Sequence, residues 1–116
     1  MLKMIDRILA GLLLLGAMGH TFGVMQFYAG QPMILFWSLA AGALTFLLAA
    51  LNFMRAGRPG DRAFAWVTLA GTFCQLVITL RFGALIGDMV DPRVIFFSLV
   101  CLGLGAFGVR SALGRG

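Results

Sequence analysis

Few side chains in this 116-residue sequence can carry acid–base or ligand chemistry, and the single histidine, His20, sits among glycines in the run GAMGHTFG, Gly16 to Gly23. Imidazole, with an ordinary pKa of ~6.5, is the one group here that changes charge near neutrality. The acids are Asp6, Asp61, Asp88 and Asp91, and there is no Glu. Read along the helical spans argued below, His20 lies slightly beyond mid-span, Gln75 lies close to mid-span, and Thr79, Gln26, Arg81 and Asp88 follow outward. These six residues are the candidate ligand-binding set, lining a polar pocket open to the outside. An Arg inside a span costs ~2.5 to 3.5 kcal/mol on insertion scales, which makes such a residue a functional candidate.

Each candidate also has a structural reading. His20 can be a neutral imidazole hydrogen-bonded to a hydroxyl of the second or third segment, since a buried polar group needs a partner. Arg81 can snorkel to the interface or pair with Asp88, and it shares a face with Ala70, Cys74 and Val77, away from Gln75. No catalytic residue is assigned. All four Asp residues fall at the ends of spans, which argues against a proton-driven exporter, and Ser38, Ser98 and Ser111 lack a nucleophile-elbow context. Neither a P-loop nor a dinucleotide fingerprint is present. A haem would need a second axial ligand, from methionine or from the histidine of another copy, and Cys74, Cys101 and His20 agree only in depth. No metal or cofactor is therefore expected, with haem or quinone as the cofactors left open. The protein is read as a non-enzyme.

Composition dictates what positions these groups. Hydrophobic residues make up 61% of the chain and charged ones 11%, with a mean hydropathy of +1.01, whereas a soluble domain is ~25% charged. The net charge of +5 does not indicate nucleic acid, because the charges cluster at segment ends and form no basic face with exposed aromatics. Four apolar segments are read, at about residues 8–28, 33–54, 63–87 and 93–112. At ~1.5 Å per residue each can cross a ~30 Å hydrocarbon core as a helix. Gln31-Pro32 opens the second segment, Asp61 can cap the third, and Asp91-Pro92 combines a cap with a proline at the first helical position.

Lys3 and Arg7 before a leucine-rich run, with Ala17-Met18-Gly19 beyond, have the outline of a signal peptide. The apolar run continues to Phe27, so the segment is expected to remain as a span. Lys3, Arg7, Arg55, Arg58, Arg62, Arg110 and Arg115 fall on one side and Arg81 and Arg93 on the other, which predicts both termini in the cytoplasm. No segment is long enough to build a domain outside the membrane.

Small and weakly polar residues recur at steps of three and four: Ser38, Gly42, Thr45, Ala49 and Asn52; Thr68, Thr72, Gln75 and Thr79; Ser98, Cys101, Gly105, Gly108 and Ala112; and, with Phe27 interrupting, Gly16, His20, Gly23 and Gly30. In lipid, helices associate through close backbone approach and interhelical hydrogen bonds, which such faces permit. The expected fold is all-α, a single transmembrane domain built as an antiparallel four-helix bundle. Gly16, Gly19, Gly23, Gly42, Gly105 and Gly108 are the expected packing positions, and Gly19 and Gly23 form a GxxxG pair that could also join subunits.

With Gly-His in the first of four short spans, the chain resembles small four-span bacterial inner-membrane proteins, a resemblance that implies a bacterial plasma membrane and no particular chemistry. It matches the small multidrug exporters in length and span count, but the acidic residue of their first span is absent. The expected role is binding, as an accessory subunit of a membrane complex or as a carrier of a lipid- or quinone-like amphipath. The alternative is a small dimeric transporter or channel with His20 and Gln75 lining the path. The expected partners are the lipid bilayer and a homodimer mate or larger membrane complex.

Overall fold

A computed structural model describes residues 1–115. It is all-helical, with α1 (Leu2–Phe27), α2 (Pro32–Ala56), α3 (Arg62–Ile86) and α4 (Pro92–Ala112), and no strand among the described residues. All four helices are long and apolar enough to cross a membrane, and the molecule measures 47 × 23 × 22 Å.

The helix starts follow from local chemistry. Pro32 and Pro92 each occupy a first helical position, where the missing N–H leaves no bond unmade. The Asp61 carboxylate accepts from Phe64 N at 3.1 Å, and that of Asp91 accepts from Arg93 N at 2.9 Å. These bonds satisfy orphan donors of the first turn. Gly87, at φ +69°, ends α3 in a left-handed conformation that a Cβ would oppose. The last turn of α4 is held differently: Arg62 Nε donates to Ala112 O at 2.9 Å.

Two helices extend beyond the apolar segments read from sequence. α1 begins at Leu2 instead of near Ile8, and α2 continues through Arg55 to Ala56. Charge ends an apolar run without ending a helix, and Asp6 and Arg55 both point into the protein.

α1 packs chiefly on α2, and α3 on α4. α1 also meets α4, and α2 meets α3 and α4, whereas α1 and α3 do not approach one another. Ala10, Leu13, Leu48, Ala49, Val100 and Leu104 form the apolar core, with Phe96 and Phe97 against it. Around this core the usual polarity is inverted. Asp6, Thr45, Asn52, Arg55, Thr68, Thr72, Thr79 and Ser111 are buried, while Phe22, Phe27, Trp37, Leu44, Val67, Phe73 and Leu85 are mostly exposed.

The small-residue faces of α2 and α3 turn inward as read, but that of α1 is displaced. Its buried residues are Asp6, Ala10, Leu13, Ala17 and Val24. Gly16 does sit in a close approach, since a Cβ there would lie 2.7 Å from Phe96 Cε1. Gly42 and Gly108 are also tight, with a Cβ 2.5 Å from Thr21 Oγ1 and 3.1 Å from Leu69 Cδ1, respectively. Gly19, Gly23 and Gly105 have nothing within 4 Å of an added Cβ, so none of them mediates close packing within the chain.

Candidate functional site

Between mid-bundle and the end formed by the α1–α2 and α3–α4 turns, the sequence candidates occupy separate places. His20 Nε2 lies 2.9 Å from the backbone oxygen of Ser38. A carbonyl only accepts, so Nε2 is the donor in this contact. The ring reaches α2 because Gly42 has no side chain: a Cβ there would approach His20 Cδ2 to 3.3 Å. Thr21, beside His20, buries its hydroxyl oxygen against the same glycine without a partner.

Gln75 belongs to a different interface. The Thr45 hydroxyl donates to Ala41 O at 2.8 Å, with Gln75 Oε1 a more distant neighbour at 3.3 Å, and Gln75 Nε2 reaches Thr79 Oγ1 at 3.4 Å. Gln26, Arg81 and Asp88 are exposed. Asp88 accepts from Val90 N at 3.1 Å, and among the described residues Arg81 enters no ion pair. The six candidates therefore divide into His20 of α1 bonded to α2, Gln75 with Thr79 against Thr45, and three side chains on the surface. With α1 and α3 apart, no pocket between those helices gathers them.

Also at this end, Arg93 makes a two-pronged pair with Asp91, with both N···O distances at 2.9 Å, and lies over the Phe82 ring. Hydrogen bonds from the Arg93 side chain and backbone hold the Asp91 carboxyl down at about 2, against an ordinary 3.8.

The densest polar chemistry lies at the opposite end, where the start of α1, the end of α4 and the α2–α3 turn meet. Arg55 and Asp6, read from sequence as charges at span ends, are buried, with 1% and 5% exposure. Arg55 Nη2 donates to Asp6 Oδ1 at 2.7 Å and Nη1 to Oδ2 at 2.9 Å. The planar fork of a guanidinium suits this two-point contact with a carboxylate. Its remaining terminal donors reach Ser111 Oγ and Asn52 Oδ1, both at 3.1 Å. Asn52 Nδ2 donates to Leu48 O and to Thr72 Oγ1, and Thr72 donates to Thr68 O. One network thus links α1 through Asp6, α2 through Asn52 and Arg55, α3 through Thr72 and α4 through Ser111.

A sequence signal for this network existed. The α2 stripe of Ser38, Gly42, Thr45, Ala49 and Asn52 continues one step of three to Arg55. In α4 the step from Gly108 reaches Ser111, and on α1 Asp6 precedes Ala10, Leu13 and Ala17 by the same steps.

Within this network Ser111 and Asp6 lack the arrangement of a hydrolytic site. Ser111 Oγ accepts from a guanidinium and has no imidazole beside it, and both Asp6 oxygens are engaged by Arg55. Among the described residues no three His, Cys or Asp side chains converge. Two concavities adjoin the helices. One, of about 90 Å³, lies at the terminal end beside Asp6 and Arg55. The other is an apolar groove of about 340 Å³ between α3 and α4, lined by Leu69, Phe73, Leu76, Leu102, Gly105 and Ala106 among others. Comparison of the chain with protein-family models, with curated proteins and with solved structures gives no match.

Proposed function

We propose that this chain is an integral protein of a bacterial inner membrane, an antiparallel four-helix bundle with both termini in the cytoplasm. In this reading it acts by binding a lipid- or quinone-like amphipath and not by catalysis. The inverted polarity, with polar groups inside and large apolar side chains outside, supports the membrane setting, because lipid replaces water as the outer solvent. Its orientation rests on the charge asymmetry: Lys3, Arg7, Arg58, Arg62, Arg110 and Arg115 are all exposed at the terminal end.

The observation that carries the binding role is the groove between α3 and α4. At about 340 Å³ it falls within the size range of small-molecule sites, ~300–1,000 Å³. Its apolar walls, running from the middle of two membrane-length helices toward their terminal end, suit a hydrocarbon or isoprenoid chain. Gly105 borders it with open space beside its Cα, so a larger side chain there fills the groove without straining the bundle.

Native mass spectrometry after purification in a mild maltoside detergent, with lipid and quinone extracts of the same sample, tests this reading. The expected result is a bound amphipath in the wild type and its loss in Gly105→Leu at unchanged thermal stability. A wild-type protein that emerges without any bound amphipath, or a Gly105→Leu variant that retains it fully, overturns the assignment to this groove. A stoichiometric protein companion in place of an amphipath replaces it with the accessory-subunit role.

A further inference from the structure

The cavity at the terminal end has more hydrogen-bond donors and positive charge than the protein around it can answer. Lys3, Asp6, Arg55, Phe107, Arg110 and Ser111 are among its lining residues. Asp6 is the one carboxylate in that lining, and both of its oxygens are taken by Arg55. Arg55 uses its four terminal N–H bonds within the network, while its Nε is buried and has no partner. Ser111 accepts from Arg55, which leaves its own O–H free to donate. Lys3 and Arg110, both exposed at the rim, enter no ion pair among the described residues, and Arg110 gives only one long bond of 3.4 Å, from Nη2 to Arg115 O. With three cations and one anion, the cavity carries a net charge of +2.

We infer that this cavity is a binding site for a phosphate group. Such a group supplies several acceptor oxygens and a negative charge, which together answer Lys3, Arg110 and the Ser111 hydroxyl. A volume of about 90 Å³ suits a single compact anion, and Phe107 gives the cavity an apolar wall. The site lies on the α1 side of α4, apart from the α3–α4 groove, and does not depend on what that groove holds. At the end of a membrane bundle the same chemistry is offered by two sources, the headgroup of a phospholipid and a soluble phosphate.

Titration of the full chain in lipid-free maltoside micelles, followed by 31P NMR, separates these sources. One arm adds inorganic phosphate and the other adds phosphatidylglycerol. Each is repeated with Lys3→Gln/Arg110→Gln and with Arg7→Gln/Arg115→Gln, which removes equal charge from the same end outside the cavity. The expected result is saturable binding in at least one arm, weakened about tenfold or more in the first variant, as loss of hydrogen bonds from charged groups implies, and less than about twofold in the second. Saturation by phosphatidylglycerol alone assigns a lipid headgroup; saturation by inorganic phosphate assigns a soluble phosphate. Absence of saturation in both arms, or equal weakening in both variants, overturns the site. All four substituted side chains are exposed, so a melting curve for each variant verifies that the fold is intact.

Discussion

The two ends of the bundle hold their polar side chains in different ways. At the terminal end, Asp6, Arg55, Asn52, Thr72 and Ser111 form one buried network reaching all four helices, with charged contacts of 2.7 and 2.9 Å. Toward the other end, His20 makes a single contact to a carbonyl, and nearer the middle Gln75 makes contacts of 3.3 and 3.4 Å. Gln26, Arg81 and Asp88 face outward. The residue with the most conspicuous chemistry in the sequence is thus attached by one bond, while two charges resembling ordinary flanking residues sit at the centre of the bonds that join the helices. Where apolar contact gives helices little reason to associate, charge-assisted hydrogen bonds and close backbone approach take over that role.

The sharpest way to break this contrast is Arg55→Met. It leaves the Asp6 carboxylate buried without its hydrogen-bonded ion-pair partner, a loss of about 3 to 5 kcal/mol, readable from denaturant unfolding in mixed micelles. Adding Asp6→Leu is expected to recover most of that loss, because an apolar pair needs no counter-charge. A silent Arg55→Met would mean that the terminal end is not the stronger one.

Next come the glycines. Gly16→Ala and Gly42→Ala push a Cβ into Phe96 and Thr21 and should each cost about 1 to 3 kcal/mol by overpacking. Gly19→Ala meets open space and should instead gain up to about 1 kcal/mol from helix propensity. The same unfolding measurement sorts the two classes, and a destabilised Gly19→Ala would point to a second molecule on that face.

His20→Phe should cost about 0.5 to 1.5 kcal/mol, the net worth of one hydrogen bond. A loss as large as that of Arg55→Met would equalise the two ends.

The smallest effect belongs to Asp91 and is a pH dependence. Its carboxyl is held at about 2 against an ordinary 3.8, so folding favours the ionised form. The stabilisation is complete above the ordinary value and is lost as pH falls from 3.8 toward 2. Melting curves of wild type and Asp91→Asn should converge over that interval and differ above it.

Much of the fold was legible because its causes are local. An uninterrupted apolar run fixes a span, and Pro32, Asp61, Asp91 and Pro92 act on backbone groups within three residues of themselves. The inward faces of α2 and α3 could also be read, since threonine and asparagine in an apolar helix have few other places to go. The buried face of α1 departs from the stripe because glycine is ambiguous: Gly16 faces another helix, whereas an added Cβ at Gly19 or Gly23 would meet nothing. The Asp6–Arg55 pair escaped for another reason. The two residues are 49 positions apart, and each sits where a charge ordinarily marks the edge of an apolar segment. A charge at a span edge can turn toward solvent or continue the inward stripe, and composition does not distinguish these outcomes. Helical phase does, and it placed Arg55 one step beyond Asn52.

The pairing of helices has a consequence for how the protein is made. Asp6, Asn52 and Arg55 all belong to α1 and α2, which pack against each other and precede α3 and α4 in the chain. By the time Ala56 has been synthesised, both members of the ion pair exist, and Arg55 can be neutralised before the second half of the sequence has left the ribosome. Later arrivals add Thr72 and Ser111 to a centre already without net charge. The first two helices therefore need not wait, charged and unpartnered, at the membrane for the last two to complete them.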